Sequence, residues 1–237
     1  MVLTANRPAA AGVDGCRTRA SKTRRAERVT RVLEDLHGTP DLGNKEDPLD
    51  ELVFIVLSQM TTSKSFGRVF DRLKRAVTSW DQLVDMPVRR LKSIIKDAGL
   101  SNQKAPKLKA IMRRLRADFG VVNLDALRGM DDQAAHEYLI SLPGVGTKSA
   151  KCVLMYSLGR DVLPVDTHVA RLTSRLGLLA SDTTTYSIHD ALEAIVPPSI
   201  RYSLHVNAIV HGRTVCVATS PRCHQCPLKR ACPSRSL

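Results

Sequence analysis

Three features of the sequence predict an all-α fold. Apolar residues recur three and four apart along most of the chain, as at Val29, Val32, Leu33 and Leu36, the spacing that gathers side chains on one helical face. Gly, Pro, Asn and Asp punctuate these segments, as in "DAGLSN" and "FGVVNLD", where helices begin and end. Long runs of period-two alternation are absent. The one β-like stretch, "DVLPVDTHV", carries Pro164 and reads as a loop.

Taken in order, residues 1–21 show no apolar periodicity and read as a disordered basic arm that includes Cys16. An Arg-rich leader is also the composition of an organellar transit peptide, but Asp14 and the Gly and Pro content spoil an amphipathic helix there. A helix is expected from Lys22, and "HGTPDLGNKEDP" ends it. Helices are then predicted over Leu49–Met60, Lys64–Thr78, Trp80–Met86, Val88–Asp97, Lys104–Phe119, Asp132–Leu142 and Thr147–Leu158, and another begins near Thr167. No internal repeat is visible.

With 4% aromatic residues the core must be aliphatic. The longest apolar run, "LVFIVLSQM", is far short of the roughly 20 residues of a membrane helix, and the N-terminus lacks the apolar stretch of a secretory signal. The net charge is +13, which points to a polyanionic partner, nucleic acid first. Eight basic against two acidic residues in 1–31 account for +6 of it, so the body is basic in its own right.

Three motifs carry chemistry. In "LISLPGVGTKSAKCVLMYSLG" a helix ends at Leu142, Pro143, Gly144 and Gly146 make a tight turn, and a second helix starts near Thr147. Two glycines so close allow positive φ and close approach of a ligand, and the new helix's N-terminus favours an anion such as a DNA phosphate. A plain packing corner fits the motif equally well. Lys148, in the first turn of that helix, opposes the helix dipole, which favours the neutral, nucleophilic amine. By itself a solvated lysine, or a phosphate contact by Lys148 or Lys151, explains it better. Asp166 precedes a helix and serves as an N-cap, while a carboxylate there would also stabilise positive charge on a sugar. Alone, the cap reading is the stronger.

Four of the six cysteines lie in the last 22 residues, Cys216, Cys223, Cys226 and Cys232, spaced C-x6-C-x2-C-x5-C. This spacing admits an iron–sulfur cluster or a four-cysteine zinc site, in which His224 could replace a ligand. Disulfides are disfavoured without a secretory signal.

Together, "LPGVGTKSA", "VDTHVARL" with its aspartate eighteen residues after Lys148, and "HGRTVC" leading into the four cysteines resemble the endonuclease III family of helix-hairpin-helix DNA glycosylases, from about Arg24 to Cys232. The resemblance implies two helical domains flanking a DNA cleft: residues 49–160 as a six-helix domain with the hairpin, and residues 22–48 with 161–237 as the cluster domain. It implies a 4Fe–4S cluster on the four cysteines. Its partner would be double-stranded DNA with a damaged base or abasic site, bound by a monomer without a membrane role. Location would be cytoplasmic, at a bacterial nucleoid, or organellar or nuclear in a eukaryote. Lys148 would attack the sugar C1′ and Asp166 assist, and the resulting imine would permit β-elimination. Gln59, Met60, Thr61, Gly144, Val145, Gly146 and His168 would contact DNA, and Ser58, Thr62 and Ser63 would line the base pocket. Lys148 favours a bifunctional glycosylase and AP lyase over relatives that lack the lysine.

Two positions depart from the family pattern. Met60 stands where glutamine is common, so opposite-base reading is expected to be weaker or to pass to Gln59. Met60 would act as an apolar wedge or else pack in the core. Ser63 replaces a common aspartate, which affects the choice of lesion. Oxidised pyrimidines are expected first, then mismatched uracil or thymine or another modified base. The loop "VATSPR" holds one basic residue, Arg222, so its share of DNA affinity is expected to be small. His205 and His211 are expected to pack or cap, and Trp80 to lie in the core. Arg171 and Arg175 read equally as a solvated face or as phosphate contacts. The rival functions are a non-catalytic DNA-binding module and a zinc-stabilised scaffold.

Overall fold

The computed structural model describes residues 18–60, 65–180, 183–185 and 187–235. These residues form helices and turns and no strand. The chain divides into two compact units, one of residues 41–164 and one of residues 1–40 with 165–237. The arm before Thr18, Cys16, Thr61, Thr62 and Ser63 lie outside the described residues.

In the first unit, α2 (Pro48–Ser58) is central. Asp47 Oδ1 caps it, accepting from Leu49 N and Asp50 N at 3.0 and 2.8 Å, and Pro48 opens it where no N–H is needed. Every residue from Leu52 to Leu57 is buried, as a helix apolar all round must be. Three helices cover it: α3 (Phe66–Ala76), α6 (Ser101–Phe119) and α8 (Thr147–Leu158). A single turn α4 (Gln82–Asp85), α5 (Val88–Ile95) and α7 (Asp132–Ser141) complete the unit. The core is aliphatic, and each buried Leu such as Leu52, Leu73 or Leu108 contributes about 1.5–3 kcal/mol by leaving water. Trp80 joins it, its indole N–H donating to Asp50 Oδ1 at 2.7 Å.

Residues 41–48 pack in this unit rather than with the cysteine-bearing half. Buried Glu51 holds them, accepting from Asn44 Nδ2 at 2.6 Å and from Lys45 N at 2.8 Å. Helix α6 begins at Ser101, three residues before the expected Lys104, and keeps Pro106 inside it. The cause is tertiary. Buried Lys104 donates from Nζ to Leu57 O at 2.6 Å and Ala98 O at 2.8 Å, using carbonyls that two helix ends leave open.

The second unit contains α1 (Arg19–His37), α9 (Thr167–Arg175), α10 (Ile188–Glu193) and α11 (Arg201–Thr214), followed by the cysteine tail. Helix α1 starts three residues before Lys22 because Thr18 caps it, its Oγ1 accepting from Ser21 N at 3.2 Å. Helix α11 packs on α1 and α9, and buried Asn207 donates to Gly38 O at the end of α1, at 3.1 Å.

Candidate active site and thiol cavity

The hairpin lies wholly in the first unit. Helix α7 stops at Ser141, and Val145 N donates to Leu142 O at 3.1 Å to close the turn. Gly144 has φ +71°, and a Cβ there would fall 2.4 Å from Lys107 Cε. The expectation of positive φ at both glycines holds for Gly144 alone. Gly146 has φ −103°, and a Cβ there would meet nothing within 4 Å. Gly146 instead leaves open space before α8 and offers it no side-chain cap, so the helix start keeps its preference for an anion. Val145 turns its side chain into the core, 6% exposed.

Gln59 ends α2 beside this turn. Its Oε1 accepts from Lys107 Nζ at 3.0 Å and its Nε2 donates to Ser149 Oγ at 3.4 Å. Both ends of the amide therefore have a partner within the protein. Ser58 Oγ donates to Ile55 O at 2.8 Å within its own helix. Met60 is the opposite case. It is 87% exposed and sits at φ +48°, a left-handed conformation that costs a non-glycine residue about 1–2 kcal/mol. It does not pack in the core.

Lys148 is half-buried in the first turn of α8. The same unit holds Glu51, fully buried in the first turn of α2. Burial pushes the Glu51 carboxyl above its usual range, against the opposing pull of its hydrogen bonds and the charges of Lys148 and Lys45. Sequence periodicity gives no sign of Glu51 or Lys107, because each is one charged residue on an otherwise ordinary helix.

In the second unit, Asp166 caps α9. Its Oδ1 accepts from His168 N at 2.9 Å and Val169 N at 2.8 Å, so the cap occupies one carboxylate oxygen only. His168 is half-buried, and burial lowers its pKa. Its Nδ1 meets Arg171 Nη2 at 3.0 Å. Its Cβ lies so near Gly212 that a Cβ on that glycine would come within 2.8 Å. His168 is thus built into the contact of α9 with α11.

Arg171 and Arg175 fit neither a solvated face nor phosphate contacts. Arg171 donates to Cys216 O at 2.9 Å and Gly212 O at 2.8 Å. Arg175 donates to Val217 O and Ala218 O, both at 2.9 Å, and its Nη1 lies 3.2 Å from Cys216 Sγ. Two guanidinium forks hold the tail by its carbonyls.

Cys216, Cys223, Cys226 and Cys232 are all half-buried, and they line one cavity with Leu172, Arg175 and Leu228. His224 is exposed and is not among the lining residues, so it is no substitute ligand. Burial first, then the other thiols' charges, pushes Cys226 and Cys232 up. Four thiolates do not gather without a cation. Among the described residues no group of three or more His, Cys, Asp or Glu is arranged to hold a metal ion.

Two helices joined by a glycine turn, the second opening uncapped onto a lysine, define a helix-hairpin-helix protein. Residues 53–198 match the family described as HhH-GPD superfamily base excision DNA repair protein, and the chain belongs to that superfamily and, within it, to the endonuclease III family. It is 30% identical to endonuclease III of Haemophilus influenzae over 90% of this chain and 96% of the relative. It is 31% identical to DEMETER-like protein 2 of Arabidopsis thaliana over 72% of this chain. It spans 14% of that protein's length and 58% of a putative DNA glycosylase from the same plant, to which it is 32% identical over 71% of this chain. A solved structure of a trapped endonuclease III–DNA covalent intermediate superposes with a TM-score of 0.78 at 26% identity, covering 90% of this chain and 96% of that one.

Proposed function

We propose that this protein is a base-excision DNA glycosylase with AP lyase activity that removes damaged bases, oxidised pyrimidines foremost, from duplex DNA. The observation that carries the reading is Lys148, in the first turn of an uncapped helix behind the Gly144 turn. The target nucleotide is flipped from the stack, and backbone phosphates rest at the turn and the start of α8. Lys148 Nζ, as free amine, forms a bond to C1′. The glycosidic bond breaks, and the base leaves with its electron pair and takes up a proton. The ring oxygen then departs to leave an imine. Loss of a C2′ proton expels the 3′ phosphate by β-elimination, and water releases the enzyme. The family resemblance assigns Asp166 the assisting carboxylate's part, and its cap leaves one carboxylate oxygen over for it.

Members of the endonuclease III family carry a 4Fe–4S cluster. Here Cys216, Cys223, Cys226 and Cys232 are assigned to hold it. They supply the four thiolates such a cluster takes, and they share one cavity. When bound, it cross-links the tail. Met60, exposed and apolar, is the proposed wedge into the duplex. It cannot hydrogen-bond an orphaned base, so weaker reading of the opposite base goes with it. Because Ser63 stands where an aspartate is common in the family, excision of mismatched uracil or thymine, or of another modified base, is the second reading.

Borohydride trapping tests the proposal on duplexes carrying thymine glycol or an abasic site, with Lys148→Ala alongside. A covalent band on both duplexes, absent in the variant, is expected. A band on the abasic duplex alone would keep the lyase and move the substrate to another base. No band on either, from protein with its iron in place, would leave a DNA-binding module.

A further inference from the structure

We propose that His211, backed by His37, donates a hydrogen bond to the Cys226 thiolate and so sets the reduction potential and persistence of the iron–sulfur cluster. This rests on the assignment of the four cysteines made above.

His211 is fully buried in the last turn of α11. Its Nε2 lies 3.5 Å from Cys226 Sγ and its Nδ1 lies 3.2 Å from His37 Nε2. The two rings meet edge to face at 62°. The carbonyl of the same residue accepts from Val215 N at 2.9 Å and Cys216 N at 2.8 Å. One residue therefore holds the first cysteine by its backbone and faces the third with its ring. Filling space alone would require no nitrogen at either end of that ring.

The positions of the protons follow from the chemistry of the partners. A ligating thiolate has only lone pairs to offer, so the ring atom facing it must carry hydrogen, which places the proton on His211 Nε2. In a neutral imidazole the other nitrogen is then an acceptor, and it must be met by a donor. His37 Nε2–H is that donor. The two tautomers are locked in series, from Cys226 to the half-buried last residue of α1. Cys216 has a different donor, Arg175 Nη1 at 3.2 Å. Hydrogen bonds to ligating sulfur draw charge off it, favour the reduced state and raise the potential. His211 and His37 are positioning residues; neither touches DNA in this proposal.

The test uses purified full-length holoprotein. Iron and sulfide content and visible absorbance are measured first, then a spectroscopic redox titration and the rate of bleaching in air. His211→Phe keeps the ring volume and removes the N–H. It is expected to load iron fully, to shift the midpoint potential negative, and to bleach several-fold faster. His37→Phe should move both readouts in the same direction by less, and His211→Gln, which restores a donor, should recover part of the shift. A fully loaded His211→Phe with unchanged potential and bleaching rate would overturn the proposal. If that variant does not fold, an unchanged potential in His37→Phe would do the same. Wild-type protein without iron and sulfide would sink the cysteine assignment and this proposal together, before any variant is made.

Discussion

Lys107 Nζ donates to Gln59 Oε1 at 3.0 Å, and the chain of the same lysine occupies the space where a side chain on Gly144 would begin. One lysine from the middle of α6 thus ties the end of α2 to the hairpin turn. This arrangement separates two adjacent residues: Gln59 is part of the framework, and Met60 projects from it.

Substitution should separate them as well. Gln59→Ala removes two hydrogen bonds and is expected to cost about 1–2 kcal/mol of stability. Met60→Gly relieves a left-handed residue and is expected to leave stability unchanged or raise it by up to about 1 kcal/mol, while weakening binding to an abasic duplex about tenfold. Denaturant midpoints and Kd, measured side by side, check both.

Met60→Gln restores a group that can hydrogen-bond an orphaned base. The ratio of excision rates opposite G and opposite A is expected to widen several-fold relative to wild type. Single-turnover rates on the two duplexes measure it, and equal ratios would mean that Met60 does not read the opposite strand.

Asp166→Asn keeps an oxygen that can accept from His168 N and Val169 N. Its stability should stay within about 1 kcal/mol of wild type, whereas Asp166→Ala loses the cap and about 1 kcal/mol more. If the remaining carboxylate oxygen has the proposed role, Asn lowers the trapping rate at least a hundredfold with Tm nearly unchanged. A fall in rate matched by the fall in Tm would leave Asp166 as a cap alone.

Glu51 gives the fold a pH dependence of known sign. Its folded pKa is raised by burial above the ordinary 4.5, so ionisation is disfavoured in the native state. Its contribution is fully present below about pH 4.5 and is lost as pH rises through the raised folded value. Glu51→Gln is therefore expected to be more stable than wild type at pH 8, with Asn44 turning its amide to match. The gap should close on acidification, and urea midpoints across pH read it.

Gly212→Ala places a methyl 2.8 Å from His168 Cβ and 3.0 Å from Arg171 Nη2. Overpacking of this kind costs about 1–3 kcal/mol. Because Arg171 also holds Cys216 O, the variant should lose iron faster as well as unfold earlier, which absorbance and calorimetry follow together.

The sequence by itself determined the helical class, most helix ends, the glycine turn, the cap at Asp166 and the gathering of four thiols. These are encoded locally, by a period of three to four residues, by turn residues and by motif spacing. Tertiary structure alone decided which polar groups serve the framework. Lys104 reaches back to Leu57 O, Lys107 takes Gln59, and Arg171 and Arg175 hold a tail more than forty residues away. His211 meets both His37 and Cys226. A long charged or polar side chain reads the same in sequence whether it ends in solvent, on a phosphate or on a buried carbonyl. Only the folded chain brings up the distant acceptor, and an acceptor left unpaired inside costs about 1–3 kcal/mol, which is why each of these groups is held where it is.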